Sequence, residues 1–207
     1  TTSLAEGGSL TPSEYAQIDR LKADDLHRIA TPIQTVTKKN GQITSIQRNL
    51  FKTDDGIVLP SSVKIAKGTN PLEDRLVYHD YDNKGNPLEV FKTDGAHIVY
   101  VWGYNKTLPV AKIENATNTQ IAAALGVSSI TNLNETNLAA INALRNNSSF
   151  ANAMITTYTY IPLVGVSTIT DPKGDKITYT YDPFGRLQFV KDKNDNILSE
   201  NQYKYKQ

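Results

Sequence analysis

The 207-residue chain contains no cysteine, which excludes both a disulfide framework and thiolate chemistry. It also lacks any apolar run near the ~18 residues that a membrane-spanning helix needs; the best stretch, 121–127, is far too short. Charge of one sign is missing as well. Its 22 basic and 21 acidic residues are scattered and leave a net +1, so the electrostatic footprint of a nucleic-acid binder is absent. The three histidines, His27, His79 and His97, stand far apart and show no zinc-motif spacing. No glycine cluster precedes a Lys-Ser/Thr pair, which excludes a phosphate loop. Ser128-Ser129 follow Gly126 without the second glycine of a nucleophile elbow. With no set of nucleophile, base and oxyanion donor, these letters point to a non-enzyme that carries neither cofactor nor metal. The start, Thr1-Thr2-Ser3, has neither Met nor a basic-then-apolar leader. The expectation is a processed or trimmed piece of something longer.

What the sequence does have is tyrosine, 11 of them, recurring with turn residues. Tyr160, Tyr181 and Tyr203 lie at intervals of 21 and 22 residues, at the low end of repeat periods. Tyr-Thr-Tyr runs at 158–160 and 179–181 have the β-branched and aromatic composition that suits a pleated, half-buried surface. Each run stops at a turn. In Asp182-Pro183-Phe184-Gly185 the letters fit a type I turn: Asp leads, Pro presets φ at the second position, and Gly takes the left-handed site. Asp171-Pro172-Lys173-Gly174 repeats this, and Asp82-Asn83-Lys84-Gly85 varies it. A type I turn followed by left-handed Gly makes a G1-bulged hairpin, so the flanking strands should pair.

Tyr181-Asp182-Pro183-Phe184-Gly185-Arg186-Leu187, with Val190 and Asp192 behind it, resembles the YD repeat of bacterial Rhs and YD-repeat proteins. Tyr81-Asp82-Asn83-Lys84-Gly85-Asn86, followed by Val90 and Asp94-Gly95, is a second copy, and 160–174 a degenerate third with Ile161 in place of Asp. The resemblance covers 156–205 well and 74–114 less well. It implies β-sheet shells on large secreted or surface proteins, many of which end in a self-cleaving core segment and a variable toxin. Neither of those segments is visible in these letters.

The fold class expected is mainly β with helical additions: antiparallel YD-type hairpins in a twisted sheet or partial shell. Residues 1–11 read as a flexible segment. An N-terminal helix occupies 12–30, opened by a Thr11/Glu14 capping box with Pro12 in its first turn. A first hairpin block spans 31–115, with turns at Asn40-Gly41 and 54–56 and a bulge or edge at Pro60. Its strand 96–104 carries Ile98, Tyr100, Trp102 and Tyr104 on one face and His97, Val99 and Val101 on the other, a central strand covered on both sides. A helical insertion fills 116–155, with helices over 120–125 and 135–145 and Asn134 as a cap. The C-terminal YD block is 156–207.

Turn chemistry, rather than a catalytic pairing, explains Asp171 and Asp182, and it explains Asp82, Gly85, Pro172, Gly174, Pro183 and Gly185 as well. The aromatic stripes (Tyr100, Trp102, Tyr104; Tyr179, Tyr181; Tyr203, Tyr205) read as cross-strand packing, with stacking on a glycan as the alternative. Sequons at Asn105, Asn115, Asn134 and Asn147 matter only in a glycosylating pathway. The functional expectation is a structural, interacting module of a secreted or cell-surface bacterial protein. It would build sheet and pair edges with another protein or with the rest of its parent chain. An accessory subunit of a surface, adhesion or export assembly, docking through its helices, is the alternative.

Overall fold

The computed structural model describes residues 7–93 and 95–204. The expectations for residues 1–6, Asp94 and Tyr205 fall outside that range. The chain divides into two compact units, Thr1–His97 and Ile98–Gln207, a cut that falls inside the block expected over 31–115. The fold is mainly antiparallel β with short helices.

In the first unit, α1 (Pro12–Arg20) opens with the capping box. The Thr11 hydroxyl accepts from Glu14 N–H and the Glu14 carboxylate accepts from Thr11 N–H. Five strands follow: β1 (Gln34–Lys39), β2 (Gln42–Asp54), β3 (Ile57–Lys67), β4 (Glu73–Tyr81) and β5 (Pro87–Lys92), each antiparallel to the next. The hairpin between β1 and β2 turns on Asn40 and Gly41, both at positive φ, and that between β2 and β3 on Asp55 and Gly56. These are the signs a two-residue turn needs to match strand twist. Ile18 and Leu21 of the helical segment pack on Phe51 and Val58, flanked by Leu10, Leu26 and Ile33.

Helix α1 is shorter than the expected 12–30. It stops at Arg20, with Leu21 as its cap. Asp24 and Asp25 favour turns over helix interior, and Asp25 is drawn back by both guanidinium nitrogens of Arg20 at 2.6 Å. Arg28 N–H then donates to Leu21 C=O, and the Arg28 guanidinium to Val58 C=O at 2.7 Å. The folded-back chain brings Leu26 onto the core and leaves Ile29 80% exposed.

The second unit holds β6 (His97–Gly103, its first residue in the other unit), β7 (Leu108–Glu114), β8 (Met154–Ile161), β9 (Gly165–Thr170), β10 (Lys176–Tyr181), β11 (Leu187–Lys191) and β12 (Ile197–Glu200). Each pairs antiparallel with the next. Between β7 and β8 sits the helical insertion, with α2 (Asn118–Ala124), α3 (Leu138–Ala143) and several 3-10 turns. Its Ile121 and Ile141 are fully buried together with Val99, Val101, Val110, Ala111, Ile113 and Ile155 of the strands. Asn142 accepts from the Thr157 hydroxyl and from Arg145, which also bonds the Ile155 carbonyl. The insertion thus makes the core of its unit on one face of β6–β8. On the expected central strand, Val99 and Val101 are completely buried, while Tyr100 and Trp102 are half-buried. Tyr104 is not on that strand's aromatic face. It starts the turn Tyr104-Asn105-Lys106, all three at positive φ.

Burial ends abruptly within β8, at Thr157. Among the described residues, none from 158 to 204 is buried. The part of the sequence with the clearest repeat has no core of its own.

Because Ile141 fills the space between insertion and sheet, Ile141→Ala should cost about 2–5 kcal/mol in denaturant unfolding. A loss below about 0.5 kcal/mol would show that the insertion is a surface appendage.

Candidate functional site: the turn and tyrosine of each ribbon

The Asp-led turns share one geometry. At Asp82, the carbonyl accepts from Gly85 N–H at 2.9 Å, the Asp82 N–H donates to Asn86 C=O at 2.9 Å, and Gly85 has φ of 81°. That is a type I turn closed by a G1 bulge. Two N–H groups remain inside the loop, and the carboxylate takes both: Oδ1 accepts from Lys84 N–H at 2.8 Å and Asn86 N–H at 3.0 Å. Asp171 accepts from Lys173 and Asp175 N–H, both at 2.9 Å. Asp182 accepts from Phe184 and Arg186 N–H at 2.9 and 3.0 Å, and its other oxygen holds the Arg186 guanidinium at 2.6–2.7 Å. Gly174 and Gly185 take the left-handed site, at φ of 88° and 74°.

A fourth copy was missed in the sequence. Asp192 accepts from Asn194 and Asn196 N–H at 2.8 and 2.9 Å, with Asp195 at φ of 63° where glycine stands elsewhere. The signal was there, because Asp and Asn tolerate the left-handed region better than other side chains. The degenerate copy at Ile161 shows the converse. Without a carboxylate the turn changes type: Val164 N–H still donates to Ile161 C=O, but Leu163, one residue earlier, carries the positive φ and is fully exposed. Hydrogen bonding holds Asp182 below the usual carboxylate range, through the Arg186 side chain first and then backbone N–H groups. Asp192 is lowered likewise, chiefly by the Asn196 amide.

The repeat tyrosines have a second shared geometry that no periodicity announced. Tyr81 donates its hydroxyl to Pro60 C=O at 2.7 Å, Tyr160 to Pro109 at 2.7 Å, Tyr181 to Val166 at 2.8 Å and Tyr203 to Leu187 at 2.9 Å. In every case the acceptor residue immediately precedes the extra residue of a bulge in the neighbouring strand. Phe51 pairs Pro60 but Leu50 pairs Ser62; Trp102 pairs Pro109 but Val101 pairs Ala111; Tyr160 pairs Val166 but Thr159 pairs Thr168; Tyr181 pairs Leu187 but Thr180 pairs Phe189. A bulge disrupts the ladder locally, and the phenol supplies a donor there. Burial raises the phenol pKa of Tyr81, Tyr160 and Tyr181 above its ordinary value. Gly165 makes room for this bond: a Cβ there would lie 2.5 Å from the Tyr181 hydroxyl oxygen.

Pro60 is therefore at a bulge inside the sheet, and its missing N–H is no loss there. Of the other aromatics, Tyr100 lies opposite Lys112 and Trp102 opposite Pro109. Tyr104 packs edge-on against Tyr160 with ring centroids 5.4 Å apart, and its backbone N–H donates to Glu135 of the insertion at 2.6 Å. Tyr203 stacks under the Arg186 guanidinium at 4.3 Å, and Tyr179 is half-buried.

Histidines expected to stand apart come together. His79 and His97 flank Phe91, with ring centroids 6.0 and 5.2 Å away, and His97 Nδ1 lies 2.6 Å from Glu89. The pairing of β4 with β5 brings His79 to this place, and the turn in which Lys92 N–H donates to Ala96 C=O returns His97 to it, at separations in sequence that motif spacing does not reach.

Tyr181→Phe should cost about 1 kcal/mol in chemical unfolding, while Tyr179→Phe, whose hydroxyl has no partner among the described residues, should cost near zero. Equal effects would remove the hydroxyl's role. Acid should act through the turns. With folded pKa values below the free-aspartate ~3.9, the contribution of Asp182 and Asp192 is fully present at neutral pH. It is lost as pH falls from about 4 through their lowered values. Asp182→Asn with Asp192→Asn should flatten the acid limb of a stability–pH curve; an unchanged limb would contradict it.

Residues 165–196, spanning β9 to the Asp192 turn, match the family described as RHS Repeat. No curated protein matches the sequence. Similar solved structures include a mutant of the Photorhabdus luminescens Tc holotoxin pore, at 15% identity and a TM-score of 0.45 over 82% of this chain. The crystal structure of TcdB2-TccC3-Cdc42 is similar at 16% identity and a TM-score of 0.47 over 82%. This chain spans 8% of the length of each. Three Asp-led turns and two tyrosine-to-carbonyl bonds lie in or against the segment that matches this family.

Proposed function

We propose that the chain is a non-catalytic structural module of a secreted or cell-surface bacterial YD-repeat protein, acting by sheet building and edge pairing. The observation that carries this reading is the missing core of the C-terminal block. Strands β9 to β12 are well hydrogen-bonded, yet none of their residues is buried. Sheets need a covered apolar face for independent stability. Ile197 and Leu198 on β12 are 55% and 59% exposed. That strand pairs with β11 on one side only among the described residues, leaving a row of backbone donors and acceptors for an incoming strand. The cover and the partner strand come from another protein or from further repeats of the parent chain.

Docking through the helical insertion, as an accessory subunit would do, has less support, because that insertion's apolar residues are buried on its own sheet. A glycan surface has less support as well, since Tyr160, Tyr181 and Tyr203 direct their hydroxyls to backbone carbonyls.

Sedimentation of the purified chain should show concentration-dependent association, or complex formation with neighbouring repeats of its parent chain added in trans. Leu198→Lys should weaken either one. A monomer at all concentrations that ignores added repeats would refute the edge-pairing role.

A further inference from the structure

We propose that His79, Asp80 and Glu89 form a binding site for one divalent transition-metal ion of the zinc or manganese class. The site is independent of the edge-pairing role. It arises from the irregular ladder between β4 and β5. Tyr78 opposes Val90 and Asp80 opposes Glu89, so His79 is the extra residue of a bulge. In a regular strand His79 and Asp80 would point to opposite faces; a bulge re-aims a side chain. Here His79 Nδ1 lies 3.2 Å from Asp80 Oδ2. One ligand atom from each of His79, Asp80 and Glu89 falls within 4.8 Å of the other two.

Three further observations separate this group from an ordinary surface cluster. Asp80 and Glu89 are directly opposed carboxylates, a cross-strand arrangement that repels. The Glu89 side chain is 4% exposed, and a buried carboxylate is costly unless it is paired or binds metal. Third, His97 Nδ1 lies 2.6 Å from Glu89 Oε1 and can orient that carboxylate from behind, as partners of metal ligands do. Phe91 packs between the two imidazoles and supplies an apolar wall. The Lys52 ammonium donates to His79 C=O at 2.8 Å; it fixes the bulge backbone, and its charge works against very tight binding.

One imidazole with two carboxylates suits zinc or manganese better than magnesium or calcium, which favour oxygen alone. Ligand distances of 2.0–2.2 Å place donor atoms about 3–3.5 Å apart. The present spread contracts to that by side-chain rotation of His79 and Asp80, which are 57% and 41% exposed. Three protein ligands leave a coordination position for water or for a group from a partner.

The test uses tag-free protein and calorimetric titration with Zn2+ and Mn2+, with Mg2+ as control. The expected result is one ion per chain, a raised melting temperature at saturation, and weak or no response to Mg2+. His79→Ala and Glu89→Gln should each weaken binding at least ~10-fold, and His97→Ala by about 10–100-fold through loss of the orienting contact. Should Glu89→Gln unfold, the exposed His79→Ala remains the folded variant, checked by circular dichroism. Zn2+ and Mn2+ binding weaker than about 1 mM, or binding equal in wild type and His79→Ala, would show that these residues form ion pairs only and overturn the proposal.

Discussion

A hairpin loop of five residues encloses two backbone N–H groups that no strand can satisfy, and here one carboxylate satisfies both. That constraint sets the rest. An aspartate at the first loop position accepts from the second and fourth residues after it, at 2.8 to 3.0 Å in all four turns. Once the loop is fixed, so is the register of the two strands it joins. The tyrosine one position before the aspartate at Tyr81-Asp82 and Tyr181-Asp182 then reaches back one strand to the carbonyl freed by the preceding bulge. The turn fixes a ribbon internally, and the phenol ties it to the ribbon before it.

Such a device makes sheet from contacts near in sequence. Within each unit every strand pairs with its chain neighbour, and of these pairs β7–β8 alone has a long connection, the helical insertion, to close. It also means that a block can be fully ordered in hydrogen bonds while owning no interior. Where the helical insertion covers β6–β8, side chains reach complete burial. Along β9–β12, which nothing among the described residues buries, they do not. The distribution of burial, rather than any side-chain constellation, is what supports the proposed structural role.

Much of this was readable from letters whose physics is local. Asp-Pro-x-Gly specifies a turn through preset φ, a carboxylate acceptor and a left-handed glycine, and the strands around 171–174 and 182–185 follow from it. The capping box at Thr11 and Glu14 was equally local. What escaped notice depends on partners distant along the chain. The hydroxyl bond from Tyr160 spans 51 residues because the insertion intervenes. His79 and His97 meet around Glu89 only through strand pairing and a bulge. The helix end at Arg20 was overrun because Leu26 and Ile29 continued the apolar period, while the Arg20–Asp25 pair and the bond from Arg28 to Val58 turned the chain. Asp195 in a glycine's place hid the fourth turn.

Amide hydrogen exchange tests the turn constraint most directly. The account predicts protection at the N–H groups of Lys84, Asn86, Lys173, Asp175, Phe184, Arg186, Asn194 and Asn196, and loss of protection at Phe184 and Arg186 alone when Asp182 is replaced by Ala. Loop amides that exchange at unstructured-peptide rates in the wild-type chain would contradict it.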